Sequence, residues 1–313
     1  MNINEKTMQK TSLVVGLAVL ANMLWGSAAP IIKIGYRIFQ IASDDIASQI
    51  LFAGIRFFLA GILALIIGSI ISGKVLVPSR SSVPKICILA LFQTIIQYVF
   101  FYMGCAHTTG TKVTIVSSTG AFISILFSSL LFNQEKLTAK KILGCVLGFA
   151  GVLLINLGSG GGFDLNISLA GEGAILLSTC AYSLSGAFTK AFSKTENPVM
   201  LCGYQFILGG GIMIGAAMLF GGQLPFVGLN GIVVVLYLAS LSAIAFSITS
   251  LLYKYNPVSR VSVFSFMNPI FGVTLSILIL NESGQEFGLR GIIALALVCL
   301  GVFTVNYSKK KQS

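Results

Sequence analysis

The sequence predicts an all-α membrane protein of ten transmembrane helices in two inverted five-helix repeats, with both termini in the cytoplasm. Three observations lead there. Hydrophobic residues make up 56% of the chain and charged residues 9%, and the mean hydropathy is +0.94, which leaves too little polar surface to wrap a soluble core. Ten apolar stretches are long enough to cross a hydrocarbon layer, which takes about 20 residues for roughly 30 Å. The second half of the chain repeats the first at an offset of about 150 residues, the kind of internal copy that defines a repeat architecture.

The first stretch, 12–34, contains NMLWGSAAPIIK at 22–33, with the chain's single tryptophan, Trp25, inside apolar sequence. It is too long for a signal-peptide core and no A-x-A cleavage pattern follows it, so it reads as a helix. Asn22 and Trp25 are three residues apart and share a helical face. Gly26 allows a neighbouring helix to come close, and Pro30 removes a hydrogen-bond rung where the helix bends. An interfacial position is the alternative for Trp25, although it lies roughly 20 Å into the span.

The second stretch, 46–72, carries Arg56 roughly 15 Å deep, with no acid at comparable depth in any span. Its partner is backbone, hydroxyl or an anionic ligand. The third, 84–107, offers Gln93 and Gln97 one turn apart, then Tyr98 and Tyr102. The fourth, 110–132, has Ser117, Ser118 and Thr119, and the fifth, 138–157, little beyond Asn156. The sixth, 169–192, has Ser178, Thr179 and Tyr182; the seventh, 198–221, has Tyr204 and Gln205. Ser240, Ser247 and Thr249 mark the eighth, 229–254, and Ser265 and Asn268 the ninth, 258–281, whereas the tenth, 289–307, has Asn306 near its end.

Polar side chains are costly in lipid unless they face protein or water, so this series traces an interior surface. The candidate binding residues are Asn22, Trp25, Arg56, Gln93, Gln97 and Ser118 from the first half. Ser178, Tyr182, Gln205, Ser265 and Asn268 come from the second.

A formal charge of +11 invites a nucleic-acid reading, but the cations alternate by side. With the N-terminus inside, fifteen face the cytoplasm: Lys6, Lys10, Lys74, Arg80, Lys85, Lys136, Lys140, Lys141, Lys190, Lys194, Lys254, Arg260 and Lys309 to Lys311. Only Lys33, Arg37, Lys112 and Arg290 face outward, which satisfies the positive-inside rule. Lys33 and Lys190 close equivalent helices on opposite sides, where snorkelling accommodates them; a gating role is the alternative. Glu172 and His107 read as interfacial, so no buried carboxylate points to proton coupling.

Within the repeat, WGSAAPIIK at 25–33 falls on YSLSGAFTK at 182–190, and GIRFFLAG at 54–61 on GYQFILGG at 203–210. Glu135 meets Glu282; Gly151 and Asn156 meet Gly301 and Asn306 after a three-residue insertion. The repeats run 12–157 and 169–307, joined by a linker at 158–168 whose GSGGG lacks the Lys-Ser/Thr of a phosphate loop. Five spans being odd, the second copy enters the membrane from the opposite side. Two flipped halves of nearly equal energy can exchange conformations and open a centre to each side in turn.

Those stretches, with LLYKYNPVSRVSVFSFMNPIFGVTLSILILNES at 251–283, Gly291 and LGV at 300–302, resemble the EamA-type family of the drug/metabolite transporter superfamily over almost the whole chain. The resemblance implies helices 1 to 4 and 6 to 9 around a central cavity, helices 5 and 10 outside it, and transport of small metabolites. One departure stands out: the family's usual proline in span 4 is here Phe122, the counterpart of Pro269, with Gly120 a weak substitute for a kink.

No H-e-x-x-H, membrane aspartate pair or span-borne Ser with His supports an intramembrane enzyme, and one arginine is no channel ring. No metal and no cofactor is expected. The six cysteines, at 87, 105, 145, 180, 202 and 299, show no metal spacing and read as packing residues. The expected partners are a lipid bilayer and a small-molecule substrate, with no nucleic acid, for a monomer or weak homodimer in the cytoplasmic membrane. Amino acids and related compounds are the leading substrates, with export as the secondary part of that expectation. A multidrug, nucleobase or sugar carrier of the same fold, or a non-transporting receptor or channel, is the alternative.

Overall fold

The computed structural model describes residues 5–42, 44–108, 110–157, 168–280 and 289–306. The proposed linker, apart from Ser168, lies outside them, as do Glu282 and Lys309 to Lys311. After a short turn at Glu5–Met8, the helices are α1 (Thr11–Ile38), α2 (Ile46–Ser72), α3 (83–107), α4 (110–131) and α5 (Ala139–Leu157). The second half follows with α6 (169–192), α7 (Pro198–Leu219), α8 (Gly228–Tyr255), α9 (258–280) and α10 (Leu289–Asn306). Among the described residues there is no strand. Six segments are long and apolar enough to cross a membrane: Thr11–Ile38, Ile46–Ser72, Arg80–Cys105, Lys112–Leu131, Pro198–Leu219 and Gly228–Tyr255.

Local chemistry sets the ends. The Asp45 carboxylate accepts from the Ser48 amide at 2.9 Å and starts α2, and Gly73, with φ of +64°, closes it in the left-handed conformation that lacks a Cβ penalty. Asn197 caps α7 by accepting from the amides of Val199 and Met200, with Pro198 in the first turn. Four helices are irregular inside: α3 widens to π geometry over Ala90–Ile96, α4 over Phe127–Leu131 and α6 over Leu169–Gly173, while α9 tightens to 3-10 over Val263–Met267. In α4 the α-helical pattern is also interrupted for one residue at Thr119, just before Gly120.

Packing pairs the helices in a regular way. α2 lies along α7, α5 along α10, α1 against α8 and α9, and α6 against α3 and α4. Adding five to each helix number turns this list into itself. The α2–α7 seam is made by glycines: a Cβ on Gly61 would sit 2.5 Å from the Gly203 carbonyl oxygen, and one on Gly210 would sit 2.8 Å from that of Gly54. The two helices therefore run antiparallel at near backbone contact. In lipid, where apolar burial drives little association, such fits of small residues hold helices together. The α5–α10 pair repeats the device, with a Cβ on Gly301 falling 2.6 Å from the Gly144 oxygen. Cys145 and Cys202 pack inside, but Cys87, Cys105 and Cys299 are exposed.

Gly210→Ala should destabilise the protein by on the order of 1–3 kcal/mol through overpacking, read as a lower melting temperature in detergent. Gly215→Ala, on the same helix but with nothing within 4 Å, should not lower it.

Candidate functional site

The centre of the α2–α7 seam is polar and aromatic. Arg56 projects from α2 and is 2% exposed. Its Nε donates to Ser242 Oγ on α8 at 2.9 Å, and that hydroxyl passes its own proton to the Leu238 carbonyl at 2.8 Å. Among the described residues this is the guanidinium's one hydrogen bond and no carboxylate pairs with it. The guanidinium carbon lies 4.8 Å from the Phe57 ring centroid, and Tyr36, Tyr98 and Tyr102 lie within its electrostatic reach.

The Phe57 ring beside this charge belongs to a continuous chain of aromatic rings. Trp25 meets Phe246 edge-on at 4.4 Å, Phe246 meets Phe206 at 4.7 Å, Phe206 stacks on Phe57 at 5.1 Å, and Phe57 meets Tyr98 at 4.4 Å. Five helices contribute to it. Gly26 makes room for Trp25's helix, since a Cβ there would come within 2.5 Å of Phe271 Cβ on α9.

Gln205, fully buried on α7, mirrors Arg56. Its side-chain oxygen accepts from Thr94 Oγ1 on α3 at 2.6 Å, and its amide nitrogen has no hydrogen-bond partner among the described residues. An α2 residue bonded to α8 thus corresponds to an α7 residue bonded to α3. A buried donor left unpaired costs about 1–3 kcal/mol, which marks a place where a ligand's acceptor is worth more than elsewhere.

Of the sequence-derived candidates, Trp25, Arg56, Tyr182 and Gln205 gather around this centre. Ser178 and Gln97 join each other, Ser178 Oγ donating to the Gln97 carbonyl at 2.6 Å, and the Gln97 side-chain oxygen is buried without a partner. Gln93 is buried in the π segment of α3. Asn268 is half-buried with an unpartnered side-chain oxygen, and Ser265 is half-buried in the 3-10 turn. Asn22 and Ser118 serve their own helices instead, donating to Ala18 and Thr114 carbonyls at 2.7 Å each. Sequence reasoning missed Ser242, Thr94, Phe57, Phe206 and Phe246. The repeat offers a signal for two of them: Phe57 and Phe206 occupy matching places in GIRF and GYQF.

A cavity of about 320 Å³ lies away from this centre, lined by Phe39, Phe52, Leu224, Phe226 and Val235 among others. Its lining suits an acyl chain and holds no charge, so the candidate site is placed at Arg56.

The family model for EamA-like transporters matches residues 12–157 and again 169–307. The chain belongs to the EamA-like transporter family. An uncharacterised transporter from Archaeoglobus fulgidus is 26% identical over 295 residues, covering 90% of this chain and 94% of the relative. The uncharacterised inner membrane transporter YedA of Escherichia coli is 28% identical over 296 residues, covering 92% and 88%. A solved crystal structure aligns with a TM-score of 0.74 over 94% of this chain and 96% of its own, at 17% identity, and shares the fold. The protein is a multi-pass membrane transporter of this family.

Ser242→Ala should leave the Arg56 Nε proton buried and unpaired, lowering stability by about 1–3 kcal/mol. Ser240→Ala, one of the hydroxyls that sequence reasoning favoured, should change it little; thermal unfolding in detergent compares the two.

Proposed function

We propose that this EamA-family member is a secondary transporter of small organic metabolites, amino acids or related carboxylates, working by alternating access. The carrying observation is Arg56: a cation deep in the bundle, 2% exposed, given one hydrogen bond to a neutral serine and no anion among the described residues. An intramembrane charge without a protein counter-ion is retained where a ligand supplies the opposite charge. A carboxylate fits the planar guanidinium fork with two parallel hydrogen bonds, and the rings from Trp25 to Tyr98 supply an apolar wall for the rest of the molecule.

In this reading all ten helices span, the repeats at 12–157 and 169–307 are inverted, and both termini are cytoplasmic. The antiparallel α2–α7 seam, the packing list that survives exchange of helices five apart, and the paired Arg56–Ser242 and Gln205–Thr94 bonds all support it. Because Gln205 is neutral where Arg56 is charged, the substrate sits in one orientation, its acid towards α2. Ten spans would also put Lys190 and Lys254 at the same basic face as Arg260.

The test is a thermal-shift screen of the purified protein against metabolites with and without a carboxylate. Losing a hydrogen bond to a charged group costs about 1.5–3 kcal/mol. Arg56→Gln should therefore weaken carboxylate ligands by roughly ten- to a hundredfold while leaving their decarboxylated analogues unchanged. Equal stabilisation of parent and variant by the carboxylates would remove Arg56 from the site.

A further inference from the structure

The hydrogen-bonding groups left open around the centre differ between its Arg56 side and its Gln205 side. On the Arg56 side they donate. The guanidinium uses one of its five N–H groups on Ser242, and the Tyr36 hydroxyl, within its electrostatic reach, is buried without a partner among the described residues. On the Gln205 side they are neutral and of both kinds. Gln205 Nε2, a donor, and Gln97 Oε1, an acceptor, are each buried with no hydrogen-bond partner among the described residues.

Local geometry brings those two amides to the same part of α3. The Thr94 hydroxyl donates to Gln205 Oε1 at 2.6 Å, and the Gln97 backbone amide closes a turn onto the Thr94 carbonyl. Gln97 therefore stands one turn beyond the contact with Gln205. Its own carbonyl is held from α6 by Ser178. A neutral group that accepts and donates at once, such as an amide, satisfies Gln205 Nε2 and Gln97 Oε1 together, which a purely apolar group leaves unpaired.

Charge sets a second condition. In the sequence no acid lies deeper in a span than Glu172. That residue stands in the first turn of α6 and is already bonded to Thr108, Lys112 and the Ser168 amide. Arg56 thus brings a positive charge into the centre with no protein carboxylate paired to it among the described residues. A ligand carboxylate balances it. An ammonium on the same ligand restores the excess, and amide oxygens and aromatic rings offset only part of the cost of taking that ion out of water.

We infer that the bound species is a monoanion: a carboxylate on Arg56 joined to a neutral amide-type group on Gln205 and Gln97, with no free ammonium. Among the compounds proposed above, N-acylated amino acids and other amide-bearing monocarboxylates meet that description, and free zwitterionic amino acids do not. The inference rests on the carboxylate reading of Arg56 and adds the ligand's net charge and its second polar group.

Calorimetric titration of the purified full chain at neutral pH tests it with four probes that share a phenyl ring, chosen to suit the aromatic wall. N-acetylphenylalanine carries carboxylate and amide, 3-phenylpropanoate the carboxylate alone, phenylalanine a carboxylate and an ammonium, and N-acetylphenethylamine the amide alone. N-acetylphenylalanine should bind roughly tenfold more tightly than 3-phenylpropanoate or phenylalanine, as one or two neutral hydrogen bonds allow. In Gln97→Leu, and separately in Gln205→Leu, its advantage over 3-phenylpropanoate should shrink to within about threefold.

Equal binding of 3-phenylpropanoate by the parent overturns the neutral group, and equal binding of phenylalanine overturns the net charge. In either case, weaker binding of the carboxylates by Arg56→Gln leaves the carboxylate reading standing. An advantage that survives in both glutamine variants overturns the assignment to Gln97 and Gln205; if neither variant folds, the ranking in the parent decides. Binding of N-acetylphenethylamine as tight as that of N-acetylphenylalanine, or no binding of any carboxylate probe, overturns the carboxylate reading and this inference together.

Discussion

Near-contact between the backbones of α2 and α7 is the constraint on which the rest depends. Four glycines, at 54, 61, 203 and 210, let the two helices cross with carbonyl oxygens where side chains would otherwise stand. Lipid offers no competing hydrophobic gain, so this close fit is what assembles the centre of the bundle. It sets Phe57 on Phe206 and brings Arg56 and Gln205, the residues just before them, to the middle. From there Ser242 on α8 and Thr94 on α3 are within reach. Any side chain added along the seam would separate the halves and strand a cation.

What the seam creates, among the described residues, is an interior that places Arg56 and Gln205 in corresponding contacts. The geometry supplies two corresponding polar pairs, but only one is cationic, and the aromatic chain from Trp25 to Tyr98 runs past it. In the proposed function shape and charge play separate parts: the rings form the wall for an apolar body, and the guanidinium is the partner for an acid.

Much of this was legible in the sequence, because lipid imposes simple rules. Length and hydropathy located the helices, and Arg56 announced itself as an arginine with no acid at its depth. What escaped has physical causes. The π segments of α3, α4 and α6 leave no compositional mark, since they arise from tertiary fit rather than propensity. Ser242 looks like its neighbours Ser240 and Ser247 until the rotation of α8 is known. Phe57, Phe206 and Phe246 cannot be told from lipid-facing phenylalanines by hydropathy. Asn22 and Ser118 bond the preceding turn of their own helices, as short polar side chains readily do. The Glu135 contact to Ser259 joins residues 124 apart in sequence, so no local pattern could announce it.

The most direct test of the flipped pair is the side on which equivalent connections emerge. Gln40 follows α1 and Lys194 follows α6, and both are exposed. Single cysteines at these positions, probed with an impermeant maleimide on sealed vesicles, should be labelled from opposite faces of the membrane. Labelling of both from the same face would show two halves pointing the same way and would contradict the account.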